Sequence, residues 1–228
     1  MKIEWGNRKI IARGMTLDPE NVIQKLESFV SEERREKIDL VLKGRSAHFA
    51  PVLESLYDRG NISAVMRSAE AFGFFKFHII ETDAHEFKQA NRVTQGADKW
   101  LEVNRWTKTA DCINSLKNQG YKVYATHLSK EAKNFEDLDF KQKTAVIFGN
   151  ETEGVSEEAL SLADGNVLLP MTGFTQSFNI SVAGALSCQQ AHLKKPPVVS
   201  LEESELLKAL YFMKSITWPE KALQEWFT

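Results

Sequence analysis

Ala145–Val155 reads AVIFGNETEGV, and this stretch decides the fold. Ala145-Val146-Ile147-Phe148 is a short apolar run with no polar alternation, the mark of a strand buried on both faces. It enters the turn Gly149-Asn150-Glu151-Thr152-Glu153-Gly154, and Ser156 then offers a cap for a following helix. A buried strand that turns at once into a helix belongs to a parallel α/β sheet, and ligands of open sheets bind at the C-terminal ends of such strands. An ordinary tight connection has the same outline. What sets this one apart is Glu151, a carboxylate beside glycines where neither packing nor a cap requires one.

Outward from that point the same alternation covers the middle of the chain. Strands are predicted at Phe49–Leu56, Phe75–Ile80, Lys122–Thr126, Thr144–Phe148 and Val167–Leu169. Helices are predicted at Ile62–Phe72, Thr107–Asn118, Ser156–Leu162 and Ile180–Leu193. Short apolar strands alternating with amphipathic helices call for a parallel sheet covered on both faces. Gly73 and Gly120 sit where helices should end. Thr82–Trp100 has no clear period, and a loop of that length in a compact domain is more often functional than idle, so it should lie over the active site.

Both ends read as helical appendages, which divides the chain into a helical N-terminal extension (1–46), a main domain (47–195) and a helical C-terminal extension (196–228). Asp18-Pro19-Glu20 and Ser31-Glu32-Glu33 are helix starts with acids facing the positive dipole end. Pro196-Pro197 stops one helix and Ser200-Leu201-Glu202-Glu203 caps another. In that last helix Leu206, Leu210, Met213 and Ile216 or Thr217 form an apolar stripe, joined by Trp218, Trp226 and Phe227, for docking on its own domain or on a second subunit.

Composition excludes several classes. The 29 basic and 31 acidic residues leave a net charge of −2, so a globally polycationic nucleic-acid coat is ruled out while a local basic patch, such as Arg34, Arg35, Lys37, Lys43 and Arg45, is not. No run of about 18 apolar residues exists to span a bilayer, and the N-terminus lacks a signal-peptide core, which points to a soluble cytoplasmic protein. Cys112 and Cys188 are the only cysteines and both fall inside helices, which argues against a disulfide framework and a thiolate metal site. The five histidines show no ligand spacing.

Two further segments carry chemistry. In Asn61–Gly73 (NISAVMRSAEAFG), Asn61 is placed to cap the helix. Arg67 stands among Ile62, Val65, Met66 and Ala69, where a guanidinium needs a carboxylate or phosphate partner; a structural ion pair and a catalytic role both fit. In Leu169–Ala183 (LPMTGFTQSFNISVA), Ser177 and Asn179 lie at the mouth of a helix. The G-x-S-x-G elbow of a serine hydrolase is absent, because Gln176 and Phe178 flank Ser177. A dinucleotide oxidoreductase would need a G-x-G-x-x-G turn after the first strand, and there is none. A turn rich in free backbone groups before a helix suits gripping a purine and ribose.

These three segments, in this order, resemble the signature motifs of the SpoU (TrmH-type) RNA ribose 2′-O-methyltransferases, with similarity from about Lys37 to Leu193. Gly96–Leu101, Ala125–Leu128 and Leu56-Tyr57-Asp58 resemble the tRNA-type branch, although Gly60 stands where many of its members have histidine. The resemblance implies the SPOUT α/β fold with a C-terminal deep trefoil knot, which ordinary topology rules would reject. It also implies a homodimer with the pocket near the interface and Asn61 or Arg67 facing the partner's site.

The implied cofactor is S-adenosyl-L-methionine, held without a metal, with Thr126, Gly149, Leu169, Met171 and Phe178 in its pocket. By the same resemblance Arg67 acts on the target ribose and helps to deprotonate its 2′-hydroxyl. Asn61, Glu151, Ser177 and Asn179 complete the catalytic set. The implied substrate is tRNA at a guanosine of the D-loop, the alternatives being ribosomal RNA or an RNA-binding relative that methylates nothing.

Overall fold

The computed structural model describes residues 2–12, 14–56, 58–81, 96–217, 219 and 223. It separates into two compact units, Ser46–Pro197 and a second made of Met1–Arg45 with Val198–Thr228. The second unit begins as a three-stranded antiparallel sheet of β1 (Lys2–Glu4), β2 (Lys9–Ala12) and β3 (Met15–Leu17). The reading of the N-terminal extension as purely helical is corrected here. In β2 burial does alternate, with Ile10 and Ala12 inside, but a period of two carried by four residues is too short to stand out. Helix α1 (Pro19–Leu26) starts as read: Asp18 caps Asn21 N at 3.4 Å and Pro19 stands in the first turn. Ser31 likewise caps α2 (Glu32–Leu42) through Arg34 N.

The larger unit runs β4 (Phe49–Glu54), α3 (Arg59–Ala71), β5 (Lys76–Ile80), β6 (Glu102–Trp106), α4 (Thr109–Asn118), β7 (Lys122–Thr126) and β8 (Lys133–Asn134). It continues through β9 (Thr144–Phe148), α5 (Glu157–Leu162), β10 (Gly165–Leu168) and α6 (Ile180–Leu193). The seven strands pair in parallel in the order β6-β5-β4-β9-β7-β10-β8. One face packs Phe49, Leu53, Phe77, Val146 and Phe148 against Val65 and Met66 of α3 and Cys188 and Ala191 of α6. The other packs Ala50, Val52, Val123 and Ile147 against α4 and α5. Strands β4, β5 and β9 are buried at every position, as two covered faces require.

Three departures have physical causes. Strand β6 went unseen because it is a half-covered edge, and its sequence EVNRW is correspondingly polar. Strand β8 is only two exposed residues. Helix α3 is capped by Asp58 and not by Asn61: the Asp58 carboxylate accepts from Gly60 N at 2.7 Å, and Asn61 falls inside the first turn. Gly73 and Gly120 do end α3 and α4, with φ of 87° and 82°, the left-handed conformation that glycine adopts without a Cβ penalty. The segment expected over the site lies largely outside the described residues, at 82–95.

After the larger unit the chain forms α7 (Leu201–Ser215), whose Ser200 and Glu203 make a full capping box. Its stripe is already covered: Leu206, Leu210 and Met213 are buried, and α7 packs on α1 and α2 of its own unit. A second subunit is therefore not needed to hide that stripe; Trp218, Trp226 and Phe227 lie outside the described residues. No helix among the described residues is long and apolar enough to cross a membrane.

Candidate active site

A cavity of about 720 Å³ opens at the C-terminal ends of β7, β9 and β10, within the size range of small-molecule sites. Thr126 ends β7 and donates from Oγ1 to the Ile147 carbonyl at 3.1 Å, which ties two of these strands together at the rim. Gly149 follows β9, and Leu169, Met171 and Phe178 come from the segment between β10 and α6. All five residues expected to bind the cofactor line this one space, together with Glu151, Ser177 and Asn179.

The loop after β9 closes on itself. Asn150 and Gly154 exchange two backbone hydrogen bonds at 3.1 Å, and Asn150 Oδ1 accepts from Thr152 N at 2.9 Å and Glu153 N at 2.6 Å. Gly149 is obligatory there, since a Cβ would stand 2.0 Å from the Gly154 carbonyl. Asn150 was not singled out from the sequence; its signal was an Asx-turn former in a glycine-bounded turn.

Asn61 and Arg67 do not line the cavity. Asn61, nearly buried, reaches it through one contact: its Nδ2 donates to Glu151 Oε1 at 2.6 Å, so α3 holds the loop's carboxylate in place. Arg67 corrects an expectation. The buried positions Ile62, Val65, Met66 and Ala69 share one side of α3, and at about 100° per residue Arg67 falls on the opposite side. It is exposed and has no hydrogen bond or ion pair among the described residues.

Asn179 caps α6, its Oδ1 accepting from Ser181 N at 2.8 Å and Ser181 Oγ at 2.5 Å. Ser177 is exposed beside it. Both cysteines are buried free thiols, Cys112 pushed up to about 12 by burial and then by Glu54, and Cys188 raised by burial alone. Neither supplies a thiolate nucleophile near neutral pH.

The model of the SpoU rRNA Methylase family matches residues 49–189. The tRNA (guanosine(18)-2′-O)-methyltransferase of Thermus thermophilus is 33% identical over 196 residues, 86% of this chain and 96% of that protein. The enzyme of the same name from Borreliella burgdorferi is 37% identical over 161 residues, 71% of this chain and 73% of its own length. A crystal structure described as the A. aeolicus TrmH/SpoU tRNA modifying enzyme matches with a TM-score of 0.72 at 29% identity, over 82% of this chain and 98% of that one.

Proposed function

Because this chain belongs to the SpoU rRNA Methylase family, we propose that it is an S-adenosylmethionine-dependent methyltransferase acting on a ribose 2′-hydroxyl of tRNA. The target is a D-loop guanosine, the position that the relatives' name numbers 18. The observation that carries this is the cavity at the ends of β7, β9 and β10. Both signature loops line it, and Asn61 fixes a carboxylate at its wall.

When bound, S-adenosylmethionine supplies an electrophilic methyl group on its sulfonium. Thr126, Gly149, Leu169, Met171 and Phe178 are the residues that would hold it. A free hydroxyl is a poor nucleophile near neutral pH, so the chain's own task is to position the ribose and ease departure of its proton. Glu151, held by Asn61, orients the hydroxyl together with Ser177 and Asn179. Arg67, exposed on the outer side of α3 and outside this cavity, serves the partner's site in the homodimer, where it engages the phosphate next to the target ribose and favours the developing oxyanion. A methyl group already activated on sulfur needs no metal ion.

A homodimer is part of this reading, and α6 supports it. Its sequence ISVAGALSCQQAHL carries no acid, lysine or arginine, one side packs on α3, and Val182 and Leu193 remain exposed on the rest. Large apolar side chains left exposed on a helix with no charged face are surface that a second subunit would cover. The deep trefoil knot and a cytoplasmic location belong to the same proposal. The knot is supported by a sheet in which β10 lies outside β7 while the chain after it returns to pack α6 on α3.

Mapping ribose methylation in tRNA from cells with and without the gene tests the function. The 2′-O-methyl mark on the D-loop guanosine should disappear on deletion; an unchanged methylation map would refute the assignment.

A further inference from the structure

Glu54 is the last residue of β4, the sole charged side chain of a strand that otherwise reads FAPVL, and it is 2% exposed. A carboxylate in such a place is costly unless its oxygens are satisfied. Here they are satisfied by donors from two elements. Oε2 accepts from Ser156 N at 2.9 Å, and Oε1 accepts from Ser156 Oγ at 2.8 Å and from Thr109 Oγ1 at 2.6 Å.

Ser156 directly follows the loop Gly149–Val155 and caps α5 through Ala159 N at 3.1 Å. The loop's other end continues from β9, the strand that pairs with β4. One end of the loop is thus fixed by the sheet's backbone, and the other by a side chain from the neighbouring strand. Core packing alone would be met by an apolar residue, and the cap of α5 needs only the serine. The additional bonds from Glu54 set where the loop ends.

We infer that Glu54 is a positioning residue for the cofactor loop: its carboxylate pins Ser156, and through it the wall of the cavity formed by Gly149–Val155. This rests on the reading of that cavity as the S-adenosylmethionine site. Glu54 lies outside the cavity lining and acts on the ligand only through the loop.

The test compares Glu54→Met, Glu54→Gln and Thr109→Val. Methionine keeps the volume and removes every acceptor. Glutamine can still accept from Ser156 N and donate to both hydroxyls. Valine removes only the bond to α4. Two quantities are measured on the full chain: amide hydrogen exchange across residues 150–155, and S-adenosylmethionine affinity by calorimetry.

Glu54→Met should speed loop exchange and weaken affinity by about tenfold, the scale of one lost charge-assisted hydrogen bond. Glu54→Gln should recover most of both, and Thr109→Val should lower the melting temperature with neither changed. Unchanged loop exchange in a folded Glu54→Met protein, or a loosened loop with wild-type affinity, overturns the inference. If Glu54→Met does not fold, Ser156→Ala removes the hydroxyl part of the tie and must show the same paired effect in smaller size. Wild-type protein that binds no cofactor would overturn the functional reading instead, and loop exchange would still decide the positioning role.

Discussion

Arg67 and Gly149 show how differently two residues of one site depend on their surroundings. Arg67 is exposed and without a partner among the described residues, so Arg67→Ala should leave the melting temperature and cofactor affinity nearly unchanged. Methyl transfer should nevertheless fall by about a hundred- to a thousandfold, the cost of one charge-stabilised transition-state contact. Arg67→Lys should recover little, because a point charge does not reproduce the planar fork. A folded Arg67→Ala protein with wild-type rates would move the chemistry to Glu151 and Asn179. For Gly149→Ala both properties should fail together, since the added Cβ meets the Gly154 carbonyl at 2.0 Å. Such overpacking costs about 1–3 kcal/mol, and denaturant unfolding with calorimetry on the same sample would read the loss of stability and of cofactor binding. Retention of both would mean that the loop shifts freely, contrary to its closed hydrogen bonding. The glycine was legible in the sequence as part of a turn; Arg67's outward direction was not, because its apolar neighbours suggested burial until the helix phase was fixed.

At the scale of elements, the β5–β6 edge carries a polar arrangement that no motif announced. His78 is buried beside the Lys76–Glu102 ion pair of 2.8 Å, stacks on Trp106 and accepts from its Nε1 at 3.1 Å. Burial first, and the charge of Lys76 second, bring the His78 pKa down from 6.5 to about 3. Between those values the unfolded chain binds a proton that the native protein does not. Stability therefore falls as pH drops below about 6.5, by up to about 1.4 kcal/mol per unit, until the folded group titrates. From pH 7 to pH 5 the wild type should lose roughly 2 kcal/mol that His78→Gln does not lose, read by urea unfolding at both values. Identical pH dependence in the two proteins would contradict the neutral buried imidazole. The sequence located β4, β7 and β9 closely because strands covered on both faces carry an unbroken apolar run in their middle. It missed β6 because a half-covered edge strand is polar and buries no residue fully, and the N-terminal sheet because its strands are only three or four residues long. It placed the α3 cap at Asn61, since both Asp58 and Asn61 are good caps and only the structure shows that Asn61 is engaged by Glu151.

For the whole molecule, the apolar surface that asks for a partner moved from the C-terminal stripe to α6. The stripe of α7 is covered within its own unit, while Val182 of α6 is 45% exposed on a helix without a charged face. Val182→Glu should therefore convert a dimer into a monomer in sedimentation at micromolar concentration without unfolding it; a wild-type monomer, or a dimer indifferent to this change, would remove α6 as the interface. What stayed out of reach of the sequence was relational: that Asn61 of α3 meets Glu151 of the loop after β9, and that Glu54 reaches Ser156, are contacts between segments about a hundred residues apart. The central claim is the transfer of a methyl group to a ribose oxygen of tRNA, and its most direct test supplies purified protein with an unmodified tRNA transcript and methyl-labelled S-adenosylmethionine. After nuclease digestion, mass spectrometry should find the label as 2′-O-methylguanosine in a D-loop fragment. Label on a base, or none on tRNA while the cofactor is bound, would contradict the account.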